Sequence, residues 1–167
     1  STRTDRGWNV TFALDDGSAS LKSFFLPQRR TEIIRGTAPA MRRLGTAPFF
    51  AIRQKGGESV FVAVHHPYAG KAAVQKVESV KLNPSSGGVA LRVTLPDRVD
   101  TIVSTMDEDR LKTRKTTGGR IAMSGRFAHV AEGAKGKSWL YLVGGKTLRV
   151  GEHSVKSEGA IKGVLTR

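Results

Sequence analysis

Four His, two Tyr and two Trp carry most of the chemistry this chain could do. His65 and His66 are adjacent, and neighbours on a strand point to opposite faces, so the pair cannot chelate one metal ion. His129 and His153 stand alone, and with no Cys a metal site would have to recruit distant His or carboxylates. All four are read as structural or surface imidazoles, and neither metal nor cofactor is expected. The absence of Cys also removes a thiol nucleophile and a disulfide framework. Asp107-Glu108-Asp109 is acidic but lacks the alternating ligand spacing of a calcium loop. Tyr68 follows Pro67, and a Tyr serves as acid or base in a lyase only beside a cation or His that lowers its pKa. His66 is close in sequence, but the simpler reading has the Tyr68 hydroxyl bound to a backbone group at a sheet edge. Trp139 and Tyr141 share one strand face at period two and are read as core. Their other use, shared with Tyr68, is as platforms for the apolar face of a sugar ring. Asp15-Asp16-Gly17 and Gly144-Gly145-Lys146 are turns rather than phosphate loops, because no helix N-terminus follows either.

Positive charge is the second chemical signal. The 167 residues hold 28 Lys plus Arg against 14 Asp plus Glu, a net +14. Solubility alone asks for a net charge of only about 2 to 8 in a small domain, so the excess points to an anionic partner. The cations concentrate in two stretches. Arg29, Arg30, Arg35, Arg42, Arg43, Arg53 and Lys55 face the single acid Glu32, and Arg110, Lys112, Arg114, Lys115 and Arg120 have no acid among them. Arg outnumbers Lys, 16 to 12, and its planar fork can grip a carboxylate or sulfate through two parallel hydrogen bonds. No basic amphipathic helix suits a membrane surface, and neither an aromatic stacking string nor a helix-turn-helix pattern suits nucleic acid. Acidic polysaccharide is the polyanion that remains.

The elements that must position these residues are short and extended. WNVTFAL (8–14) and ASLKSFFL (19–26) flank Asp15-Asp16-Gly17 as a hairpin, and APFFAIRQ (47–54) and ESVFVAVHH (58–66) flank Lys55-Gly56-Gly57 as another. In the last of these Val60, Val62 and Val64 alternate with Phe61 and Ala63, so both faces are apolar and the strand is expected between two layers. AVQKVESVKL (73–82) has an ambiguous register that predicts a bulge or bend. GVALRVTLP (88–96) has a clean period of two, and VDTIVST (99–105), GRIAMSG (119–125), RFAHVAE (126–132), SWLYLVGG (138–145) and TLRVG (147–151) follow at short intervals. The window from Ala38 to Leu44, bracketed by Pro39 and Pro48, is read as loop. No helical period is convincing and no repeat recurs at fixed spacing. About a dozen short strands with Gly-rich turns predict a single all-β domain, an antiparallel two-sheet sandwich over 1–167. No apolar run nears the ~20 residues of a membrane span, and no signal-like segment opens the chain, so it is expected to be soluble and free of a targeting segment.

The string SVFVAVHHPYAGK (59–71), followed by VQKVESVKL, GVALRVTL and VDTIVST, resembles the C-terminal β-sandwich of polysaccharide lyases of the heparinase II/III type. GRFAHV (125–130) and SWLYLVGGKTL (138–148) resemble that domain's closing strands, and RRTEIIRGTAPAMRRLGTAPFFAIRQK fits its pattern upstream. The similarity runs over roughly residues 8–165. In that family the eliminative chemistry belongs to an α-helical toroid, which is absent here, so no catalytic residue is carried over. The resemblance implies a sandwich fold, a secreted or periplasmic setting, an acidic-glycan ligand and a catalytic lyase domain as partner in a fuller protein. The expectation is a non-catalytic carbohydrate-binding module for a glycosaminoglycan or alginate. Its ligand-binding residues would be Arg29, Arg30, Arg35, Arg42, Arg43, Arg53, Lys55, Lys112, Arg114, Lys115 and Arg120. The alternatives are an accessory lyase fragment with no binding of its own and a basic nucleic-acid-binding domain.

Overall fold

The computed structural model describes residues 1–40, 45–57, 59–85, 87–105, 112–134 and 136–156, together with the backbone of 163–166. Among these residues the fold is all-β and antiparallel, with no helix. The strands are β1 (Thr2–Thr4), β2 (Trp8–Ala13), β3 (Ser20–Phe25), β4 (Thr31–Pro39), β5 (Thr46–Gln54), β6 (Ala63–Tyr68), β7 (Lys76–Ser79), β8 (Leu82–Asn83) and β9 (Gly88–Thr94). They continue as β10 (Arg98–Thr105), β11 (Arg114–Thr116), β12 (Ile121–Ser124), β13 (Phe127–Gly133), β14 (Ser138–Val143), β15 (Thr147–Val150), β16 (His153–Lys156) and β17 (Gly163–Thr166). The strands form four sheets, and the chain packs as two compact units, Ser1–Lys71 and Ala72–Arg167.

The first unit holds two three-stranded sheets, ordered β1-β4-β5 and β2-β3-β6. The expected hairpin across Asp15-Asp16-Gly17 forms: Trp8 to Ala13 pair with Phe25 to Ser20, and Gly17 takes the positive φ that the tight turn requires. The hairpin expected across Lys55-Gly56-Gly57 does not. β5 pairs instead with β4 over nine residues, from Thr31↔Gln54 to Pro39↔Thr46, while β6 pairs with β3. TEIIRGTAP, inside the stretch singled out for its cations, is a strand, and it offers β5 the longer partner. The strand expected to begin at 58 begins at Ala63, and Val60 and Phe61, expected between layers, are exposed. An aromatic cluster joins the two sheets of this unit. Trp8 stacks on its cross-strand neighbour Phe25 with centroids 4.2 Å apart, and Phe50 meets Trp8 edge-on at 5.6 Å.

The second unit is a sandwich. A six-stranded sheet, β17-β14-β13-β10-β9-β7, and a five-stranded sheet, β16-β15-β12-β11-β8, share one core. Ala90, Val103, Ala128, Val130, Leu140 and Leu142 come from the first sheet, and Leu82, Ile121, Met123, Leu148 and Val150 from the second. The ambiguous segment 73–82 bends as expected: β7 joins one sheet and β8, two residues on, joins the other. Residues 41–44 of the window read as loop lie outside the described residues, and Ala38 and Pro39 close β4.

Candidate functional site

Strand alternation decides which way the aromatics of SWLYLV point. Leu140 and Leu142 enter the core, so Trp139 and Tyr141 must leave by the opposite face of the six-stranded sheet. Both are half-buried there rather than in the core, which corrects the sequence reading. The register builds a row across that face from Asp100 on β10 through Ala131 on β13 to Trp139 on β14, and a second row from Ile102 through His129 to Tyr141. One step nearer the strand ends, Arg98 lies opposite Gly133.

The small residues in the middle of these rows leave space. A cavity of about 430 Å³ opens over Ala131 and Gly133, bounded by Trp139, Arg98, Asp97, Ala134 and Lys137. That volume is within the usual range for small-ligand sites. Gly133 is required here, since a Cβ on it would come 2.8 Å from the Lys137 carbonyl oxygen. The Arg98 guanidinium is held by Asp100, its Nε donating to Oδ1 at 3.1 Å and Oδ2 at 3.3 Å. Asp100 is buried and therefore needs this cation. His129 sits beside them, its ring meeting Trp139 edge-on at 4.3 Å. Its Nε2 is buried and lies 3.6 Å from Asp100 Oδ2, beyond hydrogen-bond reach. Burial pushes the imidazole pKa below its ordinary value, outweighing the attraction of Asp100. His129 is therefore neutral at pH 7, and around the cavity the cations Arg98 and Lys137 are balanced by Asp100, which pairs with Arg98, and by Asp97.

The expected basic residues divide into three groups. Arg114 is buried, 1% exposed, in a row with Met123 and Leu148 on the inner face of the five-stranded sheet. Its Nη1 donates to the Pro84 carbonyl at 3.4 Å, so it cannot meet a polymer as expected: β11 alternates, and putting Lys115 outward puts Arg114 inward. Arg53 and Arg120 are exposed but tied to carboxylates. Arg53 donates to Glu32 at 2.7 Å and Arg120 pairs with Glu132. Arg53 holds the Glu32 carboxyl below the usual range, with Arg3 adding to the effect from the strand on the other side. Arg29, Arg30, Arg35, Lys55, Lys112 and Lys115 are exposed. Arg30 stands at φ 56, its N–H donating to Asp5 at 2.6 Å. Arg35 and Arg53 lie on opposite faces of the β4-β5 hairpin, so that stretch is not one cationic surface. Arg42, Arg43, Arg110 and the acidic run 107–109 lie outside the described residues.

Two features escaped the sequence reading. Lys115 and Arg149 share the outer face of the five-stranded sheet, flanking Ala122 with two strand spacings, about 9.5 Å, between them. Lys156 stands in the next row, opposite Thr147. Only pairing could bring residues 115, 149 and 156 together. The second feature is Ser23 Oγ at 2.8 Å from His65 Nδ1 across the β3-β6 pair. It has the outline of a nucleophile and base, but Ser23 is 1% exposed and no carboxylate orients His65 among the described residues, so the contact is structural. Tyr68 stacks on His66 with centroids 5.3 Å apart and planes 15° apart. The expected bond from its hydroxyl to a backbone group is absent among the described residues.

No group of three or more metal-ligating side chains occurs among the described residues, and no helix among them is long and apolar enough to cross a membrane. No family model matches the chain, and neither a curated protein nor a solved structure matches it.

Proposed function

We propose that the chain is a non-catalytic module that binds acidic polysaccharide, with the cavity beside Trp139 as the selective subsite. The observation that carries this reading is the conjunction of a half-buried Trp ring, Arg98 and Lys137 around one 430 Å³ opening. A pyranose is apolar on its ring face and polar on its rim, and an acidic one adds a carboxylate or sulfate. An aromatic wall serves the first property, and Lys137 together with the Nη groups of Arg98, whose Nε is taken by Asp100, serves the second. The net +14 supports an anionic polymer over a neutral one. The basic outer face carrying Lys115, Arg149 and Lys156 offers charge without an aromatic, suiting it to unselective contact along a chain. A secreted or periplasmic setting and a lyase domain elsewhere in a fuller protein belong to the same proposal, and rest on the heparinase-like strings alone.

Calorimetry against heparin, chondroitin sulfate, hyaluronan, alginate, a neutral glucan and DNA, each at two salt concentrations, tests it. One uronate polymer should keep its preference at high salt, and Trp139→Ala should remove that preference. If every polyanion, DNA included, binds alike and salt abolishes all of it, the charge is generic and the proposal fails. No affinity for any glycan would favour an accessory fragment instead.

A further inference from the structure

Among the described residues the edge of β2 turned away from β3 pairs with no strand. β2 lies at the end of its sheet, bonded to β3 on one side only. Its hydrogen-bonding phase is set by Leu14, whose N–H donates to the Ala19 carbonyl at 3.0 Å. Carried back along the register, the antiparallel alternation makes Phe12, Val10 and Trp8 the residues bonded to β3. Asn9, Thr11 and Ala13 therefore turn their N–H and C=O groups outward. All six β2 residues border one cavity of about 530 Å³. Successive side chains leave a strand on opposite faces, so a cavity touching all six lies against the strand's edge. The far wall is Arg35, Gly36, Pro48, Phe49 and Phe50.

Open edges are normally blunted by Lys, Pro, an inward charge or a bulge. The stretch WNVTFA has none of these and pairs without interruption. We propose that this edge receives an extended acidic peptide as a fourth strand beside β2, its apolar side chains against the Trp8, Phe12 and Phe50 rings and a carboxylate on Arg35. A row of N–H and C=O groups at strand spacing complements a peptide backbone, the basis of recognition by strand addition. Arg35 has no ion-pair partner among the described residues. The surrounding unit, Ser1–Lys71, carries 11 Lys plus Arg against 5 Asp plus Glu, a net +6, which favours an acidic occupant. A second copy of this chain is the poorer fit, since it would bring like charge and a whole sheet to a gap that has a far wall.

The probe is a capped six-residue peptide, Val-Thr-Val-Thr-Glu-Thr, whose valines and glutamate leave the strand on one face as Phe50 and Arg35 require, titrated into the full chain and followed by amide NMR and hydrogen exchange. The amides of Asn9, Thr11 and Ala13 should shift and become protected on binding, while those of Val10 and Phe12, already bonded to β3, gain little. Arg35→Ala should weaken binding by about tenfold, the value of one charge-assisted hydrogen bond. Thr11→Pro, which removes one outward donor, should abolish it. Should that variant not fold, peptides N-methylated at alternate nitrogens do the same work on the native chain: one methylation phase should bind like the parent and the other should not. Unshifted amides, or equal binding of both phases, overturn the proposal. So does concentration-dependent protection of the three amides without peptide, accompanied by a dimer in sedimentation, which would make the occupant a second copy.

Discussion

His129 and Arg114 show how burial turns a titratable residue from a surface charge into a structural part. The imidazole of His129 is kept neutral by burial against the pull of Asp100, with Arg98 opposing its protonation. Its folded pKa lies below its unfolded value of about 6.5, so the unfolded chain takes up the proton first as pH falls. The stability this provides is complete above about pH 6.5 and is lost on acidification through the depressed folded pKa. Thermal melts should show the midpoint falling between about pH 7 and pH 5, and His129→Phe should flatten that part of the profile. Arg114 gives a complementary test. Removing a buried side chain from beside Met123 and Leu148 should cost about 2–4 kcal/mol, so Arg114→Ala should lower the denaturation midpoint while its glycan affinity, measured where it is still folded, stays unchanged. Lys115→Ala, one residue away on the outer face, should do the reverse.

At the scale of elements, pairing rather than composition decides what each strand contributes. β5 is apolar enough for several partners, yet it takes β4, whose nine-residue register outlasts anything the chain beyond Gly57 offers. In the second unit β14 is a two-sided strand: its Leu face completes the core, and Trp139 on the other face forms a wall of the cavity. The two roles are mechanically linked, since a side chain cannot change face without a one-residue slip of the whole strand. Leu142 on β14 and Leu148 on β15 belong to opposite sheets and one core cluster. Each change to Ala should cost about 2–5 kcal/mol. A double-mutant cycle in urea should give a coupling on the order of 0.5 kcal/mol or more, because the two share one packed space. Strict additivity would mean that the two sheets do not close on each other there.

For the whole molecule the governing quantity is charge. Both units are positive, Ser1–Lys71 by +6 and Ala72–Arg167 by 17 against 9, or +8. A polyanion therefore gains from counterion release whichever unit it meets, and its affinity should fall linearly in a log–log plot against salt. Lys115→Ala combined with Arg149→Ala should make that slope shallower without changing the order of preference among glycans. Trp139→Ala should change the order and leave the slope. Salt titrations of the three proteins against heparin and one uronate polymer separate these outcomes. Identical behaviour of the two variants would show that the cavity and the basic face do not act as distinct sites.

Much of this was legible in the residues themselves. Period-two runs such as GVALRVTLP, and turn residues such as Asp15-Asp16-Gly17, specify strands and tight turns through local sterics and apolar alternation, and so the all-β class and most strand positions could be read directly. The excess of cations could be counted, and with it the case for an anionic partner. Which cations are available could not. Arg114 and Lys115 look alike in sequence and differ only because Lys115 faces Ala122 on the outside while Arg114 joins Met123 within. Trp139 could be given a strand but not a side, because the choice between its face and that of Leu140 was made by the opposing sheet. The gathering of Arg98, Asp100, His129, Lys137 and Trp139 depended on registers between β10, β13 and β14. Alternation within a strand is a property of the local backbone, whereas register and the covered face are set by the free energy of burying apolar surface against distant strands, and only the tertiary structure resolves them.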